Sequence, residues 1–310
     1  MAAAISAYQK GVRDILILER DQYLGGILNQ CVHTGFGLDY FKEVLTGPEY
    51  ADKFIKKIGQ IEEIEVSLRS FVVRLTKDRA LTFLKPGSLE RIRAKALIMA
   101  TGCRERTREM VHIAGTRPAG IFSAGLAQKL INIEGLLPGT HAVIVGSGDI
   151  GLIMARRFVL EGAEVKAVIE IQKKSRGLIR NMVQCIEDFD IPFFYSHKIS
   201  KIYGNKRVER VSVVKVDDKD RALPGSEFQI ECDTILISVG LIPENELIEM
   251  AGVAIDKKTN CPVSEELNRT SIPGLFVCGN SFKVYDLVDS VSRDSQLAGC
   301  LAAEYLGSLR

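Results

Sequence analysis

Residues Gly146-Ser147-Gly148-Asp149-Ile150-Gly151 follow the apolar run Val143 to Val145 and open a helical stretch, and Glu170 stands nineteen residues beyond the last glycine. Strand, G-x-G-x-x-G, helix and strand-end acid together form a dinucleotide fingerprint. Gly146 is expected to make the tight turn, Gly148 to admit a pyrophosphate to the backbone, and Gly151 to let helix and strand pack closely. Asp149 and Ile150 lie at the helix N-terminus, where partial positive charge faces a phosphate. A carboxylate at Glu170 hydrogen-bonds a ribose 2′-hydroxyl and repels a 2′-phosphate, so NAD(H) is favoured over NADP(H). Lys173, Lys174 and Arg176 close behind work in the opposite direction.

The chain repeats part of this pattern at its beginning. Laying Glu170 over Glu19 without a gap puts Gly162 on Gly11, Ala155 on Ala4 and Leu152 on Met1. Glu19 is then a second ribose-binding acid, and Gly25-Gly26 soon after it permit close backbone approach. Gly151 would fall one position before Met1, so the chain is expected to begin just inside a first fingerprint whose strand and glycines are missing. An upstream start is favoured over a decayed copy, because Glu19 and the other matching turns are retained.

The elements that position these groups read as two similar halves. Each runs through helix, parallel strand, helix, a small antiparallel meander, and a buried strand ending in a small-residue turn, Ala100-Thr101-Gly102 in the first and Ser238-Val239-Gly240 in the second. The segment TSIPGLFVCGNS and the helical stretch after it have no counterpart in the second half and are assigned to the first sheet. The expected fold is therefore α/β, with two doubly wound Rossmann-like domains, the second inserted into the first and the first lacking its first strand. The boundaries read from the sequence are 1–112 and 242–310 for the first domain and 113–241 for the second.

Cys31 and His33, in GGILNQCVHTGFGL, are the candidates for catalysis, beside a plain reading as a packing cysteine and a hydrogen-bonded histidine. No C-x-x-C or C-x-x-x-x-C pair occurs among the seven cysteines, so Cys31 has no local dithiol partner. Cys103 is a distant second thiol that folding would have to bring near. The odd, scattered cysteines suit a reducing compartment. Four unpaired histidines give no metal signature. A net charge of +2 spread along the chain offers no basic stripe for nucleic acid. No apolar run approaches the roughly 20 residues of a membrane span, and the N-terminus has no signal-peptide pattern, so a cytoplasmic location is expected.

With these residues placed, the chain resembles the two-dinucleotide flavoproteins of the pyridine nucleotide-disulfide oxidoreductase superfamily over essentially its whole length. The resemblance rests on Glu19, Ala100-Thr101-Gly102, the 146–151 fingerprint, Gly240-Leu241-Ile242-Pro243 and Gly274-Leu275-Phe276-Val277-Cys278-Gly279-Asn280. The stretches LGGILNQCVHTGFGL, LTGPEYA and FVCGN…DLVD are similar to a narrower group. It comprises the oxidoreductase accompanying bacterial glycerol-3-phosphate dehydrogenases and the alpha-type subunits of sarcosine, octopine and hydrogen cyanide-forming enzymes. The resemblance implies FAD in the first domain, held at Glu19, Gly25-Gly26, Ala100-Thr101-Gly102 and Gly279-Asn280, and NAD(H) in the second. Asn280 stands where the superfamily commonly has Asp. The helix carrying Gly299, Ala302 and Ala303 would approach the flavin ring with its N-terminal end.

The implied activity is hydride transfer from NADH to FAD, with electrons passing to a partner dehydrogenase, an iron-sulfur subunit, quinone or oxygen rather than to a protein disulfide. Two alternatives remain open. One is an FAD-binding subunit of a heteromeric amino-acid or glycerol-3-phosphate type dehydrogenase that uses no nicotinamide productively, and the other is a degenerate NAD-binding protein. A homo-oligomer is among the assemblies open to the chain.

Overall fold

A computed structural model describes residues 1–264 and 266–309. They divide into two compact units, Met1–Arg104 with Ile242–Arg310, and Glu105–Leu241. The second unit opens at Glu105 and not at 113 because Arg108, which is buried, donates to the carbonyls of Ile113, Gly115 and Thr116. Those three bonds tie the approach segment to the inserted unit.

The second unit is built on a five-stranded parallel sheet. Its spatial order is Ile121–Ser123, Thr234–Ile237, His141–Val145, Glu164–Glu170, Phe193–Tyr195. The central strand pairs on both sides, Val143 with Ile235 and with Ala167. Strands covered on both faces read as continuous apolar runs, and Ala142, Val143 and Ile144 are fully buried between two apolar layers. The helix Asp149–Leu160 contributes Leu152, Ala155 and Phe158 to one layer. A meander of Ala114–Gly115, His197–Gly204, Val208–Lys215 and Phe228–Glu231 contributes to the other. The stretch 191–204 is thus not one strand. Ser196, at φ +55°, breaks it between the parallel sheet and the meander.

In the first unit the helix Ala2–Gln9 buries its small face, and Gly11 at φ +95° ends it. The closing helix Val288–Ser308 lies so near that a Cβ on Gly299 would come within 2.3 Å of the Ala3 carbonyl oxygen. Ile15–Leu18 pairs in parallel with Ile64–Ser67, and Leu97–Met99 with Leu275–Val277. These remain two separate pairs. The strand that joins their equivalents in the second unit, His141–Val145, has no counterpart among the described residues of the first. Leu16 is accordingly 38% exposed, whereas Ala167, its equivalent, is fully buried.

The helix Gly47–Ile58 begins with a capping box, in which Thr46 accepts from the Glu49 N–H and Glu49 accepts from the Thr46 N–H. A three-stranded antiparallel meander, Phe71–Leu75, Ala80–Lys85 and Ser88–Arg93, completes the unit. Here too one apparent run, VSLRSFVVRLT, is divided, with Arg69 at φ +51° separating the parallel strand from the meander.

Candidate functional site

The fingerprint loop lies where the central strand of the second unit ends. Gly146 sits at φ +93°, and a Cβ there would approach the Ser238 carbonyl oxygen to 2.1 Å. Gly151 is crowded in the same way, its Cβ position 2.9 Å from the Gly146 oxygen and 3.0 Å from the Ser238 Cβ. Gly148 differs from both. Its φ of −66° suits any residue, and the nearest atom to a Cβ is the Ser238 hydroxyl at 3.8 Å. Gly146 and Gly151 are therefore required by the chain's own packing, whereas Gly148 keeps space open at the N-terminus of the Asp149–Leu160 helix. Ile150 packs against the core beneath. Gly240, at φ +106°, accepts the Arg106 N–H through its carbonyl at 3.0 Å and closes the turn after Thr234–Ile237.

Glu170 ends the neighbouring strand, as the sequence suggested, but the residue is only 3% exposed. Its Oε2 accepts the Ser147 N–H at 2.9 Å and the Ser147 hydroxyl at 2.5 Å, and its Oε1 accepts the Gln172 N–H at 2.7 Å. Ser147 is in turn covered. Its Oγ accepts the Arg176 N–H at 3.1 Å, and its carbonyl accepts the Gly177 N–H at 2.8 Å and the Ser175 hydroxyl at 3.3 Å. Asp149 Oδ1 receives the Leu178 N–H at 2.8 Å and the Asn181 side-chain amide at 2.7 Å. Residues 175–178 thus form a strap across the glycine loop. A Cβ on Gly177 would reach 2.5 Å from Leu152, so glycine is needed for that approach. The sequence reading missed Ser147, Asn181 and the strap. A donor side chain inside the fingerprint and a Ser-Arg-Gly run after the acid were the available signals. Lys173 is drawn to Asp218 at 2.7 Å, while Lys174 and Arg176 are exposed and form no ion pair among the described residues.

In the first unit Glu19 is half-buried at its strand end, with Oε1 accepting the Asp21 N–H at 2.9 Å. Gly25, at φ +115°, could not carry a Cβ without striking Asn29 at 2.7 Å, and Gly26 at φ +54° faces open space. Ala100-Thr101-Gly102 follow Leu97–Met99. The Thr101 hydroxyl donates to the Glu244 carbonyl at 2.6 Å, and Gly102, at φ +76°, has no atom within 4 Å of a Cβ position. The Gly279 N–H donates to Asp294 Oδ2 at 2.6 Å, and Asp294 also accepts from Asn268 at 2.8 Å. Asp294 therefore fixes the Gly279-Asn280 turn from the closing helix, a role the sequence did not reveal. Asn280 Oδ1 accepts the Tyr285 N–H at 3.0 Å, and its amide lies 3.6 Å from the Cys103 sulfur.

Cys31 follows the short 3-10 turn Gly26–Gln30, and its thiol donates to the Ile27 carbonyl at 3.3 Å. Burial pushes that thiol up to about 12, which removes the thiolate a nucleophile would need. His33 Nδ1 lies 3.2 Å from the Thr34 carbonyl, and its ring packs on Phe36 with centroids 5.0 Å apart. Among the described residues no cluster of His, Cys, Asp and Glu has the arrangement of a metal site, and no helix is long and apolar enough to cross a membrane.

Comparison with known proteins agrees with this geometry. The family described as pyridine nucleotide-disulphide oxidoreductase matches residues 1–294. An opine oxidase subunit from Agrobacterium tumefaciens is 23% identical, with 100% of this chain aligned to 62% of that protein. Hydrogen cyanide synthase subunit HcnB of Pseudomonas protegens is 25% identical, with 82% of this chain aligned to 56% of it. The chain thus spans less than two thirds of the length of these relatives. Among solved structures, thioredoxin reductase of T. acidophilum superposes with a TM-score of 0.75 at 23% identity, covering 100% of this chain and 95% of that one. The Lactococcus lactis thioredoxin reductase gives a TM-score of 0.77 at 18% identity, covering 99% and 95%. These likenesses establish the fold as the two-unit α/β architecture of thioredoxin reductases.

Proposed function

The chain belongs to the pyridine nucleotide-disulphide oxidoreductase family, and from that premise we propose an FAD-dependent oxidoreductase that accepts hydride from NADH and passes electrons to a partner subunit or small acceptor. The observation that carries this reading is the open Cβ position of Gly148 beside two glycines that packing itself demands. A turn that served only the fold would have no use for the middle glycine. A pyrophosphate at a helix N-terminus needs that space.

In this reading Gly148 and the N–H groups opening Asp149–Leu160 hold the nicotinamide dinucleotide, and Glu170 orients its adenosine ribose once the strap over Ser147 lifts. Glu19, with one oxygen taken by Asp21, binds the FAD ribose. Gly25-Gly26, Gly102 and Gly279-Asn280 supply backbone that a nucleotide can approach, in a cradle fixed by Asp294. When bound, FAD supplies two-electron chemistry between nicotinamide and the final acceptor. Cys31, with no second cysteine close in the sequence and a thiol that burial keeps protonated, is given no relay role in this reading. A partner subunit is favoured because relatives of this chain are named as subunits of opine oxidase and hydrogen cyanide synthase.

Anaerobic mixing of the FAD-loaded protein with NADH tests the reading. Bleaching of the flavin band is expected, and a band unchanged by NADH refutes nicotinamide use.

A further inference from the structure

The antiparallel meander of the first unit buries one face, with Leu75, Leu81 and Phe83 in the core, and alternation turns the other face outward. On that outer face Phe71, Leu84 and Leu89 lie directly opposite one another in register. They are 52%, 46% and 64% exposed. An outward row on a half-solvated sheet is ordinarily polar, so three large apolar neighbours mark a surface that meets something. The row adjoins the turn joining Lys85 to Ser88, and Leu68 is exposed just ahead of Phe71.

The next row on the same face, about 7 Å further from the turn, is Arg74, Thr82 and Arg91. Arg93 is held by Asp78 and Lys85 by Glu90, but Arg74 and Arg91 have no ion-pair partner among the described residues. Residues 71–93 carry six Lys and Arg against two acids, a local charge of +4 in a chain whose total is +2. The meander is thus locally basic, as is the stretch 173–180 of the other unit.

We propose that the turn end of the meander docks on an anionic phospholipid surface, with Phe71, Leu84 and Leu89 entering the boundary of the acyl region and Arg74 and Arg91 engaging lipid phosphates. The layering favours this occupant. On the outward face apolar side chains occupy the row nearest the turn and free cations the row behind, a spacing that matches the depth of roughly 5 to 10 Å to which interfacial segments bury their apolar face. Two-fold pairing with a second copy would set the same unpaired arginines against each other. A nucleic acid would have no use for the leucine row. The proposal stands independently of the redox reading.

The test is co-sedimentation of the full chain with vesicles of phosphatidylcholine alone, and with about a third of the lipid replaced by phosphatidylglycerol. Binding is expected to the anionic vesicles and to weaken as salt rises. Arg74→Gln with Arg91→Gln should reduce partitioning about 25-fold, at about five-fold per cation. Leu84→Ser with Leu89→Ser should reduce it at least as far, and urea midpoints matching the parent chain show that these surface variants fold.

The chain has no tryptophan, so Leu84→Trp provides a single reporter whose emission should shift to the blue on anionic vesicles and be quenched by brominated lipid. Failure of the parent chain to sediment with anionic vesicles, partitioning indifferent to both substitution pairs, or an unshifted Trp emission would each overturn the proposal. An acidic protein partner at this face would give the first of these results.

Discussion

Alanine substitution at the three fingerprint glycines separates what the fold needs from what a nucleotide needs. Gly146→Ala places a methyl 2.1 Å from the Ser238 carbonyl oxygen in a backbone at φ +93°. The left-handed conformation costs roughly 1 to 2 kcal/mol and forced overpacking a further 1 to 3. That substitution should lower stability by about 2 to 5 kcal/mol, a large share of what a domain has. Gly148→Ala has φ −66° and no neighbour nearer than 3.8 Å, so its stability should stay within about 0.5 kcal/mol of the parent. Its methyl occupies the path of the pyrophosphate, and NADH affinity should fall ten-fold or more, about 1.4 kcal/mol. Gly151→Ala, with contacts at 2.9 and 3.0 Å, should fall between the two in stability. Urea denaturation and NADH titration by fluorescence measure the two quantities on the same samples. A Gly148→Ala protein that binds NADH like the parent would refute the assignment of that space to a ligand. One that unfolds would refute the packing argument.

Because burial pushes the Cys31 thiol up to about 12, it stays protonated near neutrality. Its alkylation should be slow at pH 7 and still rising at pH 10, and Cys31→Ser should leave NADH-driven flavin reduction intact. A plateau in the rate below pH 9 would contradict this. Asp233 is partly buried, which opposes ionisation, but N–H donors from Thr140 and His141 and the hydroxyls of Thr140 and Thr234 outweigh that and hold it at about 2. A depressed carboxylate contributes stability that is complete above the unfolded value of about 3.9 and lost as pH falls toward 2. Asp233→Asn should therefore flatten the stability profile between about pH 4 and 2, and an unchanged slope would count against it. Leu16–Leu18 and Leu97–Met99 pair on one side only, so hydrogen exchange at their amides should outpace that at Ala167–Ile169 and Ile235–Ile237. Equal protection would mean that something else covers those edges.

The parts of the structure legible in the sequence were those fixed by local chemistry. Gly11, Gly146 and Gly162 mark turns because each takes a positive φ that other residues resist, and the ungapped match of Glu19 to Glu170 follows from the equal spacing between the helix end, at Gln9 or Leu160, and the strand-end acid. What escaped was decided by tertiary contact. A run such as VSLRSFVVRLT mixes apolar and polar residues along its whole length and does not announce which half joins the parallel sheet; the division at Arg69 belongs to its backbone angle. The boundary at Glu105 depends on three carbonyls that a buried Arg108 collects. The strap at residues 175–178 is held mainly by backbone N–H groups, which every non-proline residue carries, so its side chains gave only a weak signal, the Ser175 hydroxyl that reaches the Ser147 carbonyl.

The two strand-end acids show why equivalent positions need not behave alike. Glu19 is half-buried and meets one N–H, that of Asp21, so ribose hydroxyls can reach the lone pairs that remain. Glu170 has three donors around it and almost no exposed surface. In the proposed function a nucleotide at the second corner exchanges its ribose hydroxyl for the Ser147 hydroxyl and displaces residues 175–178, and those contacts are lost in return. The intrinsic affinity of that corner is therefore reduced by the cost of opening the strap, in the manner of any site whose competent state is the minor one. Arg176 lies in the strap, its own N–H bonded to Ser147, so the step that uncovers Glu170 also repositions a cation that forms no ion pair among the described residues. On the proposed function, selection between NADH and NADPH is then a property of the opened strap as much as of the acid beneath it.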